Sequence, residues 1–350
     1  MATAPVGCRR DLNWIYFGLC GLKEAWGILV ESLASFGLLF GACLLLALLI
    51  IEVRARKTDG KGRFALRASL GLGAWGLVGL SLAFVVRPHP DNCSARRILF
   101  GCLCGLCFSC LSALAGSLAW KSRYGRPPRD GACLAAALGL FSVECVIKAS
   151  WLLTSTVRAR PLEREAGQSP CSIAKADFTG ASAYVMGLLL LGLVLAGLGL
   201  RCPGKRDRRL AAYLLSSACA SVVVWAACFG AYLGGERRPR LGARPDAWDD
   251  PPLASLLLAQ GWVFLCLCLA PWVIEGARGQ RRREREREVG PNEVYTVNKA
   301  FRTEVGDENP INSTLDDVSL NLEPKSIDSE QKSLEHSIRK QDPLYRTHFI

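Results

Sequence analysis

The sequence predicts an all-α membrane protein, a bundle of seven transmembrane helices. Half of the 350 residues are apolar, and the mean hydropathy is positive at +0.21. Charge is confined to short runs between long uncharged stretches such as Leu210–Leu233. A soluble chain of this length would spread its charge through two or three domains. The pattern therefore excludes a disordered chain, a collagen and an ordinary cytosolic enzyme.

Seven apolar stretches are each about 20 or more residues long, enough to cross a hydrocarbon core about 30 Å thick as a helix. Helix is the required form because lipid cannot satisfy exposed backbone N–H and C=O groups. The predicted spans are Ala25–Ile51, Phe64–Val86, Ile98–Trp120, Ala132–Leu153, Gly180–Leu200, Leu210–Leu233 and Pro252–Ile274.

The distribution of Lys and Arg predicts the orientation of the bundle over residues 25–275. The short loops at 52–63, 121–131 and 201–209 hold 14 basic residues in 32 positions, whereas the segments on the opposite side hold 14 in 78. Cytosolic loops carry the excess of positive charge. We therefore expect a short extracellular N-terminus over residues 1–24, with the first span acting as an uncleaved signal, and a cytosolic C-terminus.

Two segments of different composition follow the last span. Residues 276–288 hold six Arg in alternation with Glu, which favours a basic juxtamembrane helix lying on anionic lipid. Residues 289–350 hold 7 basic and 11 acidic residues with few aromatics, so we expect a disordered cytosolic tail. Tail hydroxyls near acidic residues are candidates for phosphorylation, namely Ser313, Thr314 and Ser319. A nucleic-acid partner would need a soluble basic domain, and none is predicted.

Four of the 16 cysteines lie on the predicted outside, namely Cys8, Cys20, Cys93 and Cys171. An even number in an oxidising compartment suggests two disulfides, for which three pairings are possible. We favour a first bridge that closes a short N-terminal loop, Cys8–Cys20. The second, Cys93–Cys171, ties the top of the third span to the second external loop.

The other twelve cysteines are expected to be reduced, because they lie within spans or on the cytosolic side. One of these, Cys202 at the cytosolic end of span five, is a candidate for palmitoylation. The group Cys102, Cys104, Cys107 and Cys110 resembles a metal cluster by spacing, but in an apolar helix these side chains are expected to serve as small packing residues. No metal and no cofactor is predicted.

Residues suited to intramembrane hydrolysis are missing from the predicted spans. His89, His336 and His348 lie outside them, and no Asp falls inside any of them. A zinc hydrolase needs His or carboxylate ligands within the bundle, and Ser–His or paired-Asp proteases need those residues there. The sequence therefore does not predict an enzyme.

Ionisable residues inside a span are costly and mark candidate sites. Glu31 lies about two helical turns into the first span and is a candidate to face a cavity open to the outside. Glu144 and Lys148 are four residues apart in span four, so they are expected to pair with each other. Arg67 lies near the inner end of span two and can reach the interface.

Glycines predict where helices approach one another closely. Gly73, Gly76 and Gly79 are expected to fall on one helical stripe of span two, and Gly101 and Gly105 form a GxxxG pattern in span three. The GxGxxG that begins at Gly71 has no preceding strand, so a dinucleotide site is not expected.

Several local strings resemble those of one receptor family. They are Gly7-Cys-Arg-Arg, Gly18-Leu-Cys, Glu24-Ala-Trp-Gly-Ile-Leu-Val-Glu31, Leu99-Phe-Gly101, Cys107-Phe-Ser-Cys-Leu111, Trp248-Asp-Asp250 and Gly261-Trp-Val-Phe-Leu265, with Trp225 and Pro271. In order and spacing over about residues 1–275, they resemble group 5 of the class C G-protein-coupled receptors, the retinoic acid-induced orphan receptors.

The resemblance implies an orphan receptor that lacks the large ligand-binding ectodomain of other class C receptors. It implies that Trp225 is the conformational switch residue of span six and that Pro271 is the proline of span seven. The chain departs from the family at the end of span three, where Trp120 occupies the basic position and Lys121 follows it. The family is linked to growth control and to tyrosine phosphorylation of its tail, so Tyr295 and Tyr345 are candidates.

The leading hypothesis is a receptor that signals by shifting between two packings of the bundle. It would lie in the plasma membrane and in intracellular vesicles. The expected partners are an unidentified extracellular ligand, a heterotrimeric G protein, anionic lipid and a second copy of the chain. The candidate ligand cavity and switch consist of Glu31, Trp225, Asp249, Trp262 and Pro271. The candidate cytosolic coupling face consists of Arg54, Arg56, Lys121, Arg123, Lys205, Arg206, Arg208 and Arg209.

Two other functions are weighed against the receptor. A scaffold that does not switch would regulate growth signalling through its phosphorylated tail. A transporter or channel would show internal repeats or pore-lining charges, and neither is evident in the sequence.

Overall fold

A computed structural model describes residues 26–55, 61–86, 90–166, 175–234 and 250–288. The tail unit from residue 289 to residue 350 lies outside this part of the chain. The described residues are almost entirely helical and contain no strand. The helices are α1 Trp26–Ala55, α2 Lys61–Val85, α3 Pro90–Tyr124, α4 Asp130–Ala166, α5 Lys175–Gly199, α6 Lys205–Gly234, α7 Asp250–Phe264 and α8 Ala270–Glu288.

Seven helical segments are long and apolar enough to cross a membrane, which confirms the predicted fold class and number of spans. Helices α1 to α6 each provide one, and α7 and α8 together provide the seventh, Pro251–Arg282. Several helices continue beyond the apolar stretch from which they were predicted. Helix α4, for example, extends to Ala166, because hydropathy marks the apolar part of a helix and not its end.

Helix α3 lies at the centre of the bundle. In its most apolar stretch, 72% of the residues are buried, against 22% in α1 and in α4. Helix α3 packs against α2, α4, α5 and α6, whereas α1 packs against α2, α7 and α8. The many small residues of α3 suit this central position. Lipid provides no hydrophobic driving force between helices, so they associate through close packing, and small side chains let neighbouring backbones approach.

The glycines of α2 and α3 lie at helix contacts, with one departure from the prediction. A Cβ at Gly73 would lie 2.6 Å from Cys107 Sγ, and one at Gly76 would lie 3.1 Å from Leu103, so both positions face α3. The prediction of a single stripe was wrong for Gly79, which faces Leu38 of α1. Three residues advance a helix by about 300°, so positions spaced by three drift around its surface.

A π-helical turn, Leu265–Leu269, joins α7 to α8. The Ala270 N–H donates to the Leu265 carbonyl, five residues earlier. Pro271 follows at once. It has no N–H to donate to the carbonyl of Leu267, and its ring would clash with that carbonyl in a regular helix. The sequence therefore explains why the helix opens at this point.

Candidate functional site

An ion pair joins the end of α3 to the beginning of α6. Lys121 Nζ lies 2.6 Å from Asp207 Oδ2, and the side chains are 33% and 22% exposed. Lys121 lies in the last turn of α3 and Asp207 in the first turn of α6. Each charge is favoured there, because a helix dipole attracts cations at its C-terminus and anions at its N-terminus. Sequence reasoning included Lys121 in the coupling face but missed Asp207.

We call this end of the bundle the basic end. Six of the eight residues of the predicted coupling face are exposed there, namely Arg54, Arg123, Lys205, Arg206, Arg208 and Arg209. Lys121 is half-buried in its ion pair, and Arg56 lies outside the described residues.

A cavity of about 60 Å³ adjoins the Lys121–Asp207 pair. Its walls come from α2, α3, α4, α6 and α8 and include Arg67, Asp130 and Trp272. The guanidinium of Arg67 lies 5.8 Å from the centre of the Trp272 ring, a cation–π distance. A volume of this size holds a few water molecules. The α3–α6 ion pair is therefore beside a small cavity whose walls are partly charged and partly apolar.

A second charged contact ties α6 to α8 at the basic end. Arg209 lies 3.1 Å from Glu275 Oε1, and Arg278 lies 3.8 Å from the same oxygen. Gln280 donates to the Ile51 carbonyl at 3.0 Å, which joins α8 to α1. The start of α6 is thus held from two sides, by α3 through Asp207 and by α8 through Arg209.

The Cys202 thiol is buried in the connection between α5 and α6. Its side chain is 2% exposed, and Sγ donates to the Leu118 carbonyl at 3.2 Å. Burial raises the pKa of this thiol above its usual 9.0, and the carboxylate of Asp207 raises it further, while Lys121 acts in the opposite direction. Palmitoylation of Cys202 remains a prediction, and it requires that this connection opens to expose the sulfur.

Trp225 lies at the centre of the bundle. The residue is completely buried, with its ring 6.0 Å from both Phe100 and Phe108 and 5.6 Å from Phe229. These rings come from α3 and α6, so Trp225 joins the two helices in the core of the bundle. Aromatic contacts of this tilted and edge geometry each contribute about 0.5–1.5 kcal/mol beyond area burial.

Trp262 belongs to a different cluster. Its ring stacks on Phe36 at 5.7 Å and on Phe40 at 5.8 Å, in the contact between α1 and α7. Glu31 of α1 is exposed, and Pro271 follows the π-helical turn. The described members of the predicted cavity therefore occupy different parts of the bundle, while Asp249 lies outside the described residues.

Two intramembrane charges face the central helix. Glu144 and Lys148 of α4 form the expected pair, with 3.3 Å between Lys148 Nζ and Glu144 Oε1. The side chain of Glu144 contacts the position of Gly105, and that of Lys148 contacts the position of Gly101. The GxxxG glycines of α3 thus leave space for the charged pair of α4. This confirms that another helix approaches α3 closely at Gly101 and Gly105, as predicted.

Several predicted sites lie outside the described residues. They are Cys8, Cys20 and Cys171, together with Tyr295, Ser313, Thr314, Ser319 and Tyr345. Cys93 lies within α3, but its side chain is not among those described. The proposed disulfides and phosphorylation sites stay predictions. Among the described residues, no group of three or more His, Cys, Asp or Glu side chains is arranged to hold a metal ion.

A bundle of seven apolar helices with the third at its centre is the architecture of a seven-transmembrane receptor. A family model described as "7 transmembrane sweet-taste receptor of 3 GCPR" matches residues 20–272. This stretch contains every described span except the end of the seventh. The match includes the aromatic cluster around Trp225, the Lys121–Asp207 contact and the intramembrane pair.

Curated relatives identify the group within that class. The chain is 34% identical over 297 residues to "G-protein coupled receptor family C group 5 member C" of Bos taurus, an alignment that covers 82% of this chain and 66% of the relative. It is 33% identical to member B of the same group in Mus musculus, over 77% of this chain and 63% of the relative. The chain belongs to family C of the G-protein-coupled receptors, group 5.

A further relative is "Retinoic acid-induced protein 3" of Mus musculus, at 29% identity over 77% of this chain and 73% of the relative. The quoted sequence strings point to this member as the nearest, but the identities to members C and B are higher. The chain spans about two thirds of the length of the member C proteins that it matches. Members C and B are both described as G-protein-coupled receptors.

Proposed function

We propose that this chain is a receptor of the plasma membrane that signals, or modulates signalling, through a movement of α6 relative to α3 at the basic end. The observation that carries the proposal is the Lys121–Asp207 ion pair, with 2.6 Å between Nζ and Oδ2. In this proposal the basic end faces the cytosol and meets a heterotrimeric G protein, and an unidentified ligand binds from outside.

The strength of the ion pair suits a reversible contact. Because the two side chains are 33% and 22% exposed, solvent screens their attraction. Ion pairs that solvent screens contribute about 0.2–1 kcal/mol, which corresponds to a change of roughly fivefold or less in a two-state equilibrium. A ligand or partner that binds one of the two states moderately more tightly than the other is therefore sufficient to shift the bundle between the paired and the separated state.

The cavity beside the pair gives the movement space. Asp207 and Lys121 are both on its wall, so separation of α3 from α6 would enlarge it. The exposed arginines and lysines around it suit an acidic partner surface, and they also suit the anionic headgroups of the inner leaflet. The positive charge of this end supports the proposed orientation.

Nucleotide exchange on a panel of purified heterotrimeric G proteins tests the function, with the full chain in nanodiscs. We expect Lys121→Ala and Asp207→Ala to raise basal exchange by roughly two- to fivefold, the range set by the energy of a solvent-screened ion pair. The double variant with exchanged charges, Lys121→Asp with Asp207→Lys, should return exchange to the starting rate. Arg129→Ala is the matched control, since it removes an exposed charge outside the predicted coupling face and leaves the pair intact.

Two outcomes would contradict the proposal. If no G protein responds to the wild-type chain or to either single variant, the non-switching scaffold becomes the better explanation. If the charge exchange stays as active as the single variants, the Lys121–Asp207 pair does not control the movement.

Epitope tags at each terminus, read in intact and permeabilised cells, test the orientation separately. Equal staining of both tags in intact cells would exclude an outside N-terminus with a cytosolic C-terminus.

A further inference from the structure

We propose that Cys102 of α3 and Cys145 of α4 form a redox pair within the membrane, which an organic hydroperoxide of the surrounding lipid converts into a disulfide between the two helices. Both cysteines carry free thiols in the structure. Cys102 lies 19 residues before Lys121 on α3, which is about 28 Å along the helix. The site is therefore remote from the basic end and does not depend on the ion pair there.

The two thiols lie against each other. The Cys102 and Cys145 side chains share a hydrogen bond across the contact of α3 with α4. Two thiols are too few for a structural zinc site, which takes four ligands. Among the described residues, no group of three or more His, Cys, Asp or Glu side chains could hold a metal ion. Formation of a disulfide is the reaction that remains open to two adjacent thiols.

The backbones of α3 and α4 are close enough for a covalent bridge. A Cβ at Gly105 would lie 3.1 Å from the Cβ of Glu144, and one at Gly101 would overlap the end of the Lys148 side chain. The two Cβ atoms of a disulfide are about 3.5–4.5 Å apart. The contacts of Gly105 with Glu144 and of Gly101 with Lys148 also define an antiparallel register. In this register the two cysteines are offset by only about 3 Å along the helix axis.

The pair lies at the edge of the helix contact, where lipid can reach it. Both thiol residues are partly exposed. Their neighbours Leu99 and Val146 are 48% and 66% exposed, as expected for side chains that face acyl chains. Cys102 lies seven residues after the start of the apolar segment at Ala95, about 10 Å into the membrane. An oxidant dissolved in the lipid is therefore better placed to react than one in water.

The reaction proceeds in two balanced steps. One thiol sulfur bonds to the terminal oxygen of the hydroperoxide, the O–O bond breaks, and the thiol proton passes to the leaving alkoxide. The products are a sulfenic acid and a lipid alcohol. The second thiol then attacks the sulfenic sulfur, the S–S bond forms, and water leaves. Two thiols are oxidised to one disulfide, and one hydroperoxide is reduced to an alcohol and water. A thiol that is already in contact favours this second step over further oxidation of the sulfenic acid.

Differential alkylation of the full chain tests this inference, in nanodiscs with or without a phospholipid hydroperoxide. Free thiols are blocked with N-ethylmaleimide, and the chain is digested without reduction and analysed by mass spectrometry. We expect the hydroperoxide to raise the yield of the peptide linked through Cys102 and Cys145 several-fold. Alkylation of both thiols should fall to match. Cys107 and Cys268 are 0% exposed and should still be alkylated once the chain is unfolded.

Matched variants show whether the pair and the close helix approach cause the reaction. Cys145→Ser should abolish the linked peptide, whereas Cys219→Ser removes an exposed thiol of α6 and should leave its yield unchanged. Gly105→Ala pushes α4 away from α3 and should slow the reaction several-fold. Gly139→Ala is its control, because no atom lies within 4 Å of the new methyl group.

Three results would overturn the proposal. The first is full alkylation of both cysteines in wild-type chain exposed to the phospholipid hydroperoxide. The second is oxidation of Cys102 and Cys145 to separate sulfinic or sulfonic acids without a linked peptide. The third is a reaction that is as fast with hydrogen peroxide in the buffer, which would exclude lipid as the preferred source of the oxidant. If Gly105→Ala does not fold, the wild-type chain and Cys145→Ser still decide the question.

Discussion

The carboxylate of Glu144 lies 3.3 Å from the ammonium group of Lys148 inside the apolar bundle, and both side chains are at least 96% buried. The two residues are one turn apart on α4 and face the glycines of α3. Burial of either charge alone in lipid or protein is costly. The pair therefore fixes how α4 packs on α3. A rotation of α4 that separates the two charges, or that moves them away from Gly105 and Gly101, is unfavourable.

The first prediction concerns removal of one charge of this pair. Lys148→Met should lower the free energy of unfolding by about 3–5 kcal/mol, because it leaves the Glu144 carboxylate buried without its counter-ion. Thermal unfolding in nanodiscs measures the effect. The double variant Glu144→Gln with Lys148→Met should recover most of the loss. Equal stability of wild type and Lys148→Met would show that the buried charges do not depend on each other.

The second prediction tests the close contact between Gly105 of α3 and Glu144 of α4. A Cβ at Gly105 would lie 2.6 Å from Glu144 Cγ, so Gly105→Ala must displace α4 or the Glu144 side chain. Overpacking of this kind costs about 1–3 kcal/mol. Gly139→Ala on α4 is the control, because no atom lies within 4 Å of its new methyl group. The midpoint of thermal unfolding should fall for Gly105→Ala and stay constant or rise for Gly139→Ala.

The features that could be predicted from the sequence are local or periodic. The seven spans follow from hydropathy, and the Glu144–Lys148 pair follows from a spacing of four residues in one helix. The family resemblance indicates Trp225 in span six, and the structure places it at the centre of the bundle. In each case one stretch of sequence contains the whole signal.

Features formed by distant segments were not predictable. Asp207 lies 86 residues from Lys121, and its only local signal is that it is the one acidic residue among the basic residues of its loop. Trp225 and Trp262 look alike in sequence, but they pack in different clusters because one faces α3 and the other faces α1. Pro271 indicates a helix distortion, but not that it takes the form of a π-helical turn.

The third prediction is a pH dependence at Cys202. The pKa of this thiol is raised by burial and by Asp207, so the folded state prefers the neutral thiol. Its contribution to stability is complete below the usual pKa of 9.0 and is lost as the pH rises through the raised value. Alkylation of Cys202 by iodoacetamide, followed by peptide mass spectrometry, should therefore stay slow at pH 7.4 and accelerate only above pH 9.

A pair of matched variants separates the electrostatic part of this effect. Asp207→Asn removes the carboxylate that raises the pKa and leaves Lys121 nearby, so the midpoint of the alkylation profile should move to lower pH. Asp130→Asn changes a carboxyl group on the same cavity that does not contribute to the shift at Cys202. A midpoint that moves equally in both variants would show that loosening of the cavity, and not the charge of Asp207, controls the thiol.

The last prediction compares a fully buried tryptophan, Trp225, with a partly exposed one, Trp75. Trp225→Ala should lower the free energy of unfolding by about 3–5 kcal/mol, because truncation of a fully buried ring leaves a cavity among Phe100, Phe108 and Phe229. Trp75 is 39% exposed, and its indole donates to the Leu38 carbonyl at 2.9 Å. Trp75→Ala should cost less, about 0.5–1.5 kcal/mol for that hydrogen bond together with the packing it loses, because lipid chains fill the space left by an exposed ring. Thermal unfolding of both variants in the same nanodiscs measures the difference. A larger loss for Trp75→Ala would mean that the contact of α1 with α2, and not the aromatic centre of the bundle, dominates its stability.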